Sequence, residues 1–324
     1  MSSNHLSYYF RLFVSLGIIA LLIWWVDVSQ IPRLADVEAG YLLLALGIVC
    51  LDRFANAFKW GVLVNAADLK VRYRQLLKIY FASSFVGLVL PSSIGGELLK
   101  GYGLAKATDR GIDSASTIVV DRITGLFALT GLCLAGYLIA DEALQAEPVI
   151  TNVGRLSLLL FTGTAAVSIL GFASSKSLYR DRSTRGRFWA YGKRVLRSLH
   201  HYRDKPVFLT KAIAIAVVIH LARVTAVWLT AVGFGLDWPF VYFLVFVPII
   251  QLGSVLPISL GGAGVEEGIA VYLFSLIGAN AAAVLSVFLA VRVLVIVSIS
   301  PGAWIYFREG VSPTVTEAPT GEVR

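Results

Sequence analysis

Apolar runs at about 10–26, 41–64, 114–140, 153–173, 207–235 and 281–306 constrain this chain more than any other feature. A helix needs roughly 20 apolar residues to cross a bilayer, and a backbone in hydrocarbon must satisfy its own hydrogen bonds. The fold class that follows is an all-α integral membrane protein, a polytopic helical bundle of about six full crossings. Composition agrees: 57% of the 324 residues are hydrophobic and 15% are charged, against about 25% charged in soluble domains. The run Phe10 to Val26 ends in Trp24-Trp25 and lacks a small-x-small cleavage site, so it reads as a retained anchor rather than a signal peptide. Cys50 and Cys133 lie in apolar runs and read as small buried hydrophobes, with no metal-ligand spacing around them.

Two further apolar regions, about 76–104 and 240–277, are broken. The first contains LPSSIGG, Leu90 to Gly96, and the second LPISLGG, Leu256 to Gly262, identical at five of seven positions. Proline ends a helix, and paired glycines permit a tight reversal. Residues 264–277 are too few to cross a hydrocarbon core of roughly 30 Å at about 1.5 Å per residue. Each region therefore reads as a re-entrant broken hairpin, carried by Pro91, Gly95 and Gly96 in the first and by Pro257, Gly261, Gly262 and Gly264 in the second. Counting the hairpins as segments gives eight.

The net charge of +8 sits in loops, which argues for membrane topology and against nucleic-acid binding. Residues 65–78 carry four basic side chains against Asp68, and residues 174–206 carry ten against Asp181 and Asp204. Residues 27–40 and 141–152 are acidic. With both hairpins re-entrant, every biased loop falls on the side that the positive-inside rule assigns it. Both termini are then cytoplasmic, in a bacterial-type inner (plasma) membrane. The loop 174–206 has Phe188, Val195, Leu196 and Leu199 at helical spacing with Lys193, Arg194 and Arg197 between them. This is the pattern of an amphipathic helix on an anionic leaflet.

The flanks of the two motifs match as well. Arg53 and Trp60 precede the first, Arg223 and Trp228 the second; Arg122 follows the first and Arg292 the second. One membrane domain, 1–308, thus contains repeat one at 41–140 and repeat two at 207–306, followed by a polar cytoplasmic tail at 309–324. Three crossings separate the repeat starts, so the second unit is inverted, an arrangement that places a substrate site near the midplane.

Arginine at a helix centre costs about 2.5–3.5 kcal/mol even on an insertion scale. Arg53, Arg122, Arg223 and Arg292 should therefore face the interior and meet anions. Asp52, Glu97, Asp121, Glu266 and Glu267 are internal candidates. A phosphate-bearing headgroup is an external one, because a guanidinium fork matches phosphate geometry. The substrate-binding set expected is Arg53, Arg122, Arg223, Arg292, Glu97, Asp121 and Glu266. Lys59 and Lys100 would steer the headgroup, and helix N-termini after Pro91 and Pro257 would add donors. His220 shares a face with Arg223. No phosphate loop, HExxH, CxxC or GxSxG is present, so no catalytic residue, metal or cofactor is expected.

The runs LPSSIGGELLKGYGLAK, DRITGL and LPISLGGAGVEEG resemble the lysylphosphatidylglycerol synthase transmembrane (flippase-like) family, over about residues 10–308. The resemblance includes the flippase part of the multiple peptide resistance factor. Recurring family positions correspond to Pro91, Gly95, Gly96, Glu97, Asp121, Arg122, Gly125, Pro257, Gly261, Gly262, Gly264 and Glu266. It implies a transporter that moves a lipid between leaflets. The resistance factor's soluble aminoacyltransferase domain has no counterpart in the sequence after residue 308, so an aminoacyl-transfer activity is not expected. The partners expected are a phospholipid or polyprenyl-linked lipid, the membrane itself, and a lipid-synthesising enzyme, with no nucleic acid. Two rivals are a membrane-embedded lipid-modifying transferase with Asp121 or Glu266 as base, and a scaffold acting through the basic loop.

Overall fold

The computed structural model describes residues 37–89, 93–140, 142–180, 202, 205–254 and 262–309. The described residues are helical and form no strand. Five helices are long and apolar enough to cross a membrane: α1 (Ala39–Ala66), α4 (Gly111–Ile139), α6 (Pro148–Arg180, its apolar part Pro148–Ala166), α7 (Pro206–Gly233), and α10 (Ala281–Ile299) continued by α11 (Pro301–Glu309). They coincide with five of the six expected crossings. The sixth, 10–26, lies outside the described residues, as do most of the amphipathic loop and the tail beyond 309. Proline opens α6, α7 and α11 at the first turn, where its missing N–H costs nothing. Asn280 caps α10, its side chain accepting from the N–H of Ala282 at 2.8 Å and of Ala283 at 3.3 Å.

Each broken region is a pair of short helices packed on one another: α2 (Tyr73–Val89) with α3 (Ser93–Thr108), and α8 (Phe240–Ser254) with α9 (Val265–Ser275). Their 17, 16, 15 and 11 residues give lengths of about 26, 24, 22 and 16 Å, short of a hydrocarbon core of roughly 30 Å. Pro91, Pro257 and Gly261 fall outside the described residues. The glycines beside them are informative. A Cβ on Gly96 would lie 2.9 Å from the Ser83 carbonyl oxygen and 3.1 Å from the Gly87 Cα, so α2 and α3 meet backbone to backbone. Gly262 and Gly264 have φ of +80° and +84°, a left-handed conformation that other residues adopt only under strain. Gly87 and Gly253 hold equivalent positions, so the repeat begins three residues earlier than the motif: GLVLPSSIGG against GSVLPISLGG. A Cβ on Gly253 would collide with the Ile269 side chain of α9, the same crossing in the second hairpin.

Loop contacts sort the helix ends. At one end, Arg110 Nη1 donates to the Asp68 carbonyl at 3.0 Å, Lys205 Nζ reaches Asp68 Oδ1 at 2.6 Å, and the buried Tyr202 hydroxyl donates to the Leu63 carbonyl at 3.1 Å. Lys78 Nζ meets both Glu309 carboxylate oxygens at 2.7 Å, bringing α11 to that end. At the other end, the Glu38 N–H donates to the Gly233 carbonyl at 2.8 Å. Both ends of the α2/α3 hairpin meet the first set of loops, whereas Trp238 and Phe243 stack on Phe274 at 5.0 and 5.1 Å, joining the ends of α8 and α9 away from it. Two core clusters follow this division. One gathers Trp60, Leu63, Leu69, Ile79 and Leu104 around the first hairpin; the other gathers Phe243, Phe246, Phe274 and Phe288 around the second.

Between the clusters α1 packs along α7, while α4 packs on α7 and α10 on α1. Leu43, Leu44, Leu51, Leu159, Val218 and Val293 stay exposed on the outside of the bundle, where hydrocarbon takes the place of water.

Candidate functional site

A cavity of about 450 Å³ lies among α1 to α4 and α7 to α10. Its apolar wall includes Val49, Leu129, Ile219, Val227, Ile250 and Phe288; its polar wall contains every charged residue of the expected substrate-binding set. Each of the four arginines sits near the middle of its helix. Helix pitch explains the convergence: a single charge in an apolar helix turns toward the face that can answer it, and here all those faces are one.

The carboxylates named in the sequence do answer. Arg223 of α7 grips Asp52 of α1 with two nitrogens, Nε to Oδ1 at 2.8 Å and Nη2 to Oδ2 at 3.3 Å. Asp52 is 4% exposed, so this pair links α1 to α7 through a buried carboxylate. Arg292 of α10 holds both acids at the start of α9: Nη2 meets Glu266 Oε2 at 3.0 Å, and Nε donates to Glu267 Oε1. The other oxygen of Glu267 accepts the Gly264 N–H at 2.7 Å. That carboxylate therefore occupies the positive end of α9. One donor expected there for a headgroup, the Gly264 N–H, is thus satisfied internally, and α9 begins at Val265 rather than directly after Pro257.

In the first unit the equivalent pair is Glu97 of α3 with Arg122 of α4, at the same separation in sequence as Glu267 and Arg292. It is looser, 3.4 Å, with Arg122 44% exposed. Asp121 does not pair with an arginine. It lies between two lysines, 3.0 Å from Lys59 Nζ and 2.8 Å from Lys100 Nζ. Both lysines are buried. Lys100 also stands 4.9 Å over the Trp60 ring and 3.5 Å from Glu97, while the Trp60 indole N–H donates to Thr117 Oγ1 at 3.1 Å. The sequence reading gives these lysines a steering role; in the structure both line the cavity and bind α1 and α3 to α4 through Asp121. His220 bridges α7 to α8 through Gln251, Nδ1 to Oε1 at 3.1 Å. Gln251 and Ser298, which accepts from Arg53 Nε at 3.1 Å, are site residues the sequence did not reveal, since neutral polar residues in apolar runs carry little signal by themselves.

Six cations line the cavity: Arg53, Lys59, Lys100, Arg122, Arg223 and Arg292. Asp52, Glu97, Asp121 and Glu266 line it too, with Glu267 behind Arg292. Six against five leaves one positive charge among the described residues. Those residues contain no group of three or more His, Cys, Asp or Glu able to hold a metal ion.

Helical crossings, paired short helices and a charged cavity within the bundle define a polytopic membrane protein with a polar site among its helices. The chain belongs to the Lysylphosphatidylglycerol synthase TM region family, whose model matches residues 12–302. It is 23% identical over 292 residues to a UPF0104 membrane protein of Methanothermobacter thermautotrophicus, covering 82% of this chain and 84% of that one. It is also 23% identical over 138 residues to a UPF0104 membrane protein of Pyrococcus horikoshii, covering 41% of each chain. No solved structure matches it significantly.

Proposed function

We propose that this protein moves an anionic or phosphate-linked lipid between membrane leaflets through the cavity between its two repeated units. The observation that carries the reading is the cavity itself: mid-helix arginines from both units meet in one partly open space with excess positive charge. Guanidinium groups bind phosphate oxygens bidentately and stay charged at any relevant pH. The units form an inverted repeat in this reading, α1 to α4 against α7 to α10. Support comes from the repeated element order, the hairpins' entry from opposite ends, and the reciprocal packing of α4 on α7 and α10 on α1. The basic loops 65–78 and 174–206 lie on the cytoplasmic side. A lipid enters laterally with its headgroup in the cavity and its acyl chains in the bilayer.

The enzyme reading lacks an equivalent support. No Ser, Thr or Cys is among the described lining residues, and each lining carboxylate lies against a cation. General acid–base work needs a group poised to exchange a proton. The test is leaflet exchange in proteoliposomes with phosphatidylglycerol, phosphatidylcholine and polyprenyl-phosphate probes. Faster exchange of an anionic probe than of phosphatidylcholine, reduced in Arg122→Ala, is expected. No exchange of any probe by folded protein overturns the reading.

A further inference from the structure

The four arginines are chemically unequal. Arg223 spends its fork on Asp52, and Arg292 is answered by two carboxylates, Glu266 and Glu267. Arg53 stands apart from this: it reaches Asp52 only at 3.7 Å, beyond hydrogen-bonding distance, and its Nε goes to a neutral hydroxyl, Ser298. Among the described residues Arg122 has one carboxylate near it, at 3.4 Å, and that carboxylate is shared with Lys100. Asp121 is already engaged by Lys59 and Lys100. The surplus charge of the cavity thus lies on its α1, α3 and α4 side, where Arg53, Lys59, Lys100 and Arg122 face Glu97 and Asp121, while the Arg292 end is over-supplied with carboxylate.

We propose that Arg53 and Arg122 are the anion-binding pair of the cavity, that they take a phosphate oxyanion, and that Arg223 and Arg292 are held by the protein's own carboxylates and position the helices. This deepens the transport reading and rests on it for the role of the cavity. Glu97 is then the internal competitor. It partners Arg122 loosely when the cavity is empty, and phosphate displaces it. Its equivalent on the other side, Glu267, is buried and tied to the α9 N-terminus, so it has no freedom to yield. A phosphate gains two charge-assisted contacts at guanidinium groups that no carboxylate has fully desolvated and claimed.

The test is binding, which needs no transport. The protein in detergent is titrated with fluorescent phosphatidylglycerol, with fluorescent diacylglycerol, which lacks the phosphate, as control and inorganic phosphate as competitor. Thermal unfolding is followed in parallel. Phosphatidylglycerol affinity should fall about tenfold in Arg53→Gln and in Arg122→Gln, the loss expected for a hydrogen bond to a charged group. Arg122→Lys should recover part of it, and Glu97→Gln should bind more tightly than wild type. Arg223→Gln and Arg292→Gln should instead lower the unfolding temperature, and where folded they should retain phosphatidylglycerol affinity. Competition by inorganic phosphate assigns the subsite to the phosphate group alone; absence of competition assigns it to phosphate presented by a lipid. Undiminished affinity in Arg53→Gln and Arg122→Gln, equal losses in folded Arg223→Gln, or equal affinity for diacylglycerol overturns the assignment. Binding with this pattern but no leaflet exchange overturns the transport reading and leaves the anion-binding pair standing. Exchange of phosphatidylglycerol at the wild-type rate in the Arg53→Gln Arg122→Gln double variant does the reverse.

Discussion

Asp52 shows what one side chain does here. It is almost fully buried, and Arg223 lies against it from the opposite unit. Removing one partner of a buried pair leaves the other charge uncompensated, at a cost of about 3 kcal/mol for a pair whose arginine keeps some exposure. Asp52→Ala should therefore lower the unfolding temperature clearly, and the Asp52→Ala Arg223→Ala double variant should recover part of the loss. A strictly additive double-variant cycle would show that the pair is not coupled. At this scale the sequence is informative about which residues matter, because a charge in an apolar run must face inward and find a counter-charge. It is silent on the pairing. Asp121 and Arg122 are adjacent, yet Asp121 turns to lysines on α1 and α3 while Arg122 turns to Glu97. Only the rotation of α4 between its neighbours decides that.

The helical hairpins are legible as breaks, since Pro and paired Gly inside apolar sequence admit few other readings. Their internal contacts are not. Gly87 is an ordinary glycine in a transmembrane composition until α3 is brought against it, and the three-residue extension of the repeat to Gly87 and Gly253 is the signal that could have found it. Gly96→Ala should separate α2 from α3 and lower both stability and activity, because its Cβ meets the backbone at 2.9 Å. Gly47→Ala, in α1 with open space around it, should be neutral or stabilising by up to about 1 kcal/mol from helix propensity. Equal unfolding temperatures for the two variants would contradict the packing. Gly264→Ala should cost more than Gly47→Ala for a second reason: its φ of +84° starts α9 and so sets where Glu267 can reach Arg292.

For the whole molecule, charge in the loops is the sequence signal for topology, and the structure gathers residues 68, 110, 202, 205 and 309 at one end. The account therefore expects sidedness that labelling can check. In a chain without Cys50 and Cys133, Lys70→Cys should resist a membrane-impermeant thiol reagent applied outside intact cells, and Glu142→Cys and Asp237→Cys should react. Labelling of all three from outside would contradict the arrangement of the hairpins. The cavity itself was only partly foreseeable. Its arginines were visible in sequence, but its apolar wall was not, because Val49 or Phe288 looks the same whether it faces lipid or the interior.

The central claim is that a lipid headgroup travels through this cavity, and a plug tests it most directly. Gly125 lines the cavity, and among the described residues a Cβ there would meet Lys59 Nζ, at 3.7 Å, and no backbone of another helix, so Gly125→Leu adds bulk to the cavity wall. Gly47→Leu places the same side chain on the exposed surface of α1. Leaflet exchange of fluorescent phosphatidylglycerol should be lost in folded Gly125→Leu and retained in Gly47→Leu. Wild-type exchange in Gly125→Leu, with unchanged thermal unfolding, would mean that the headgroup takes another route.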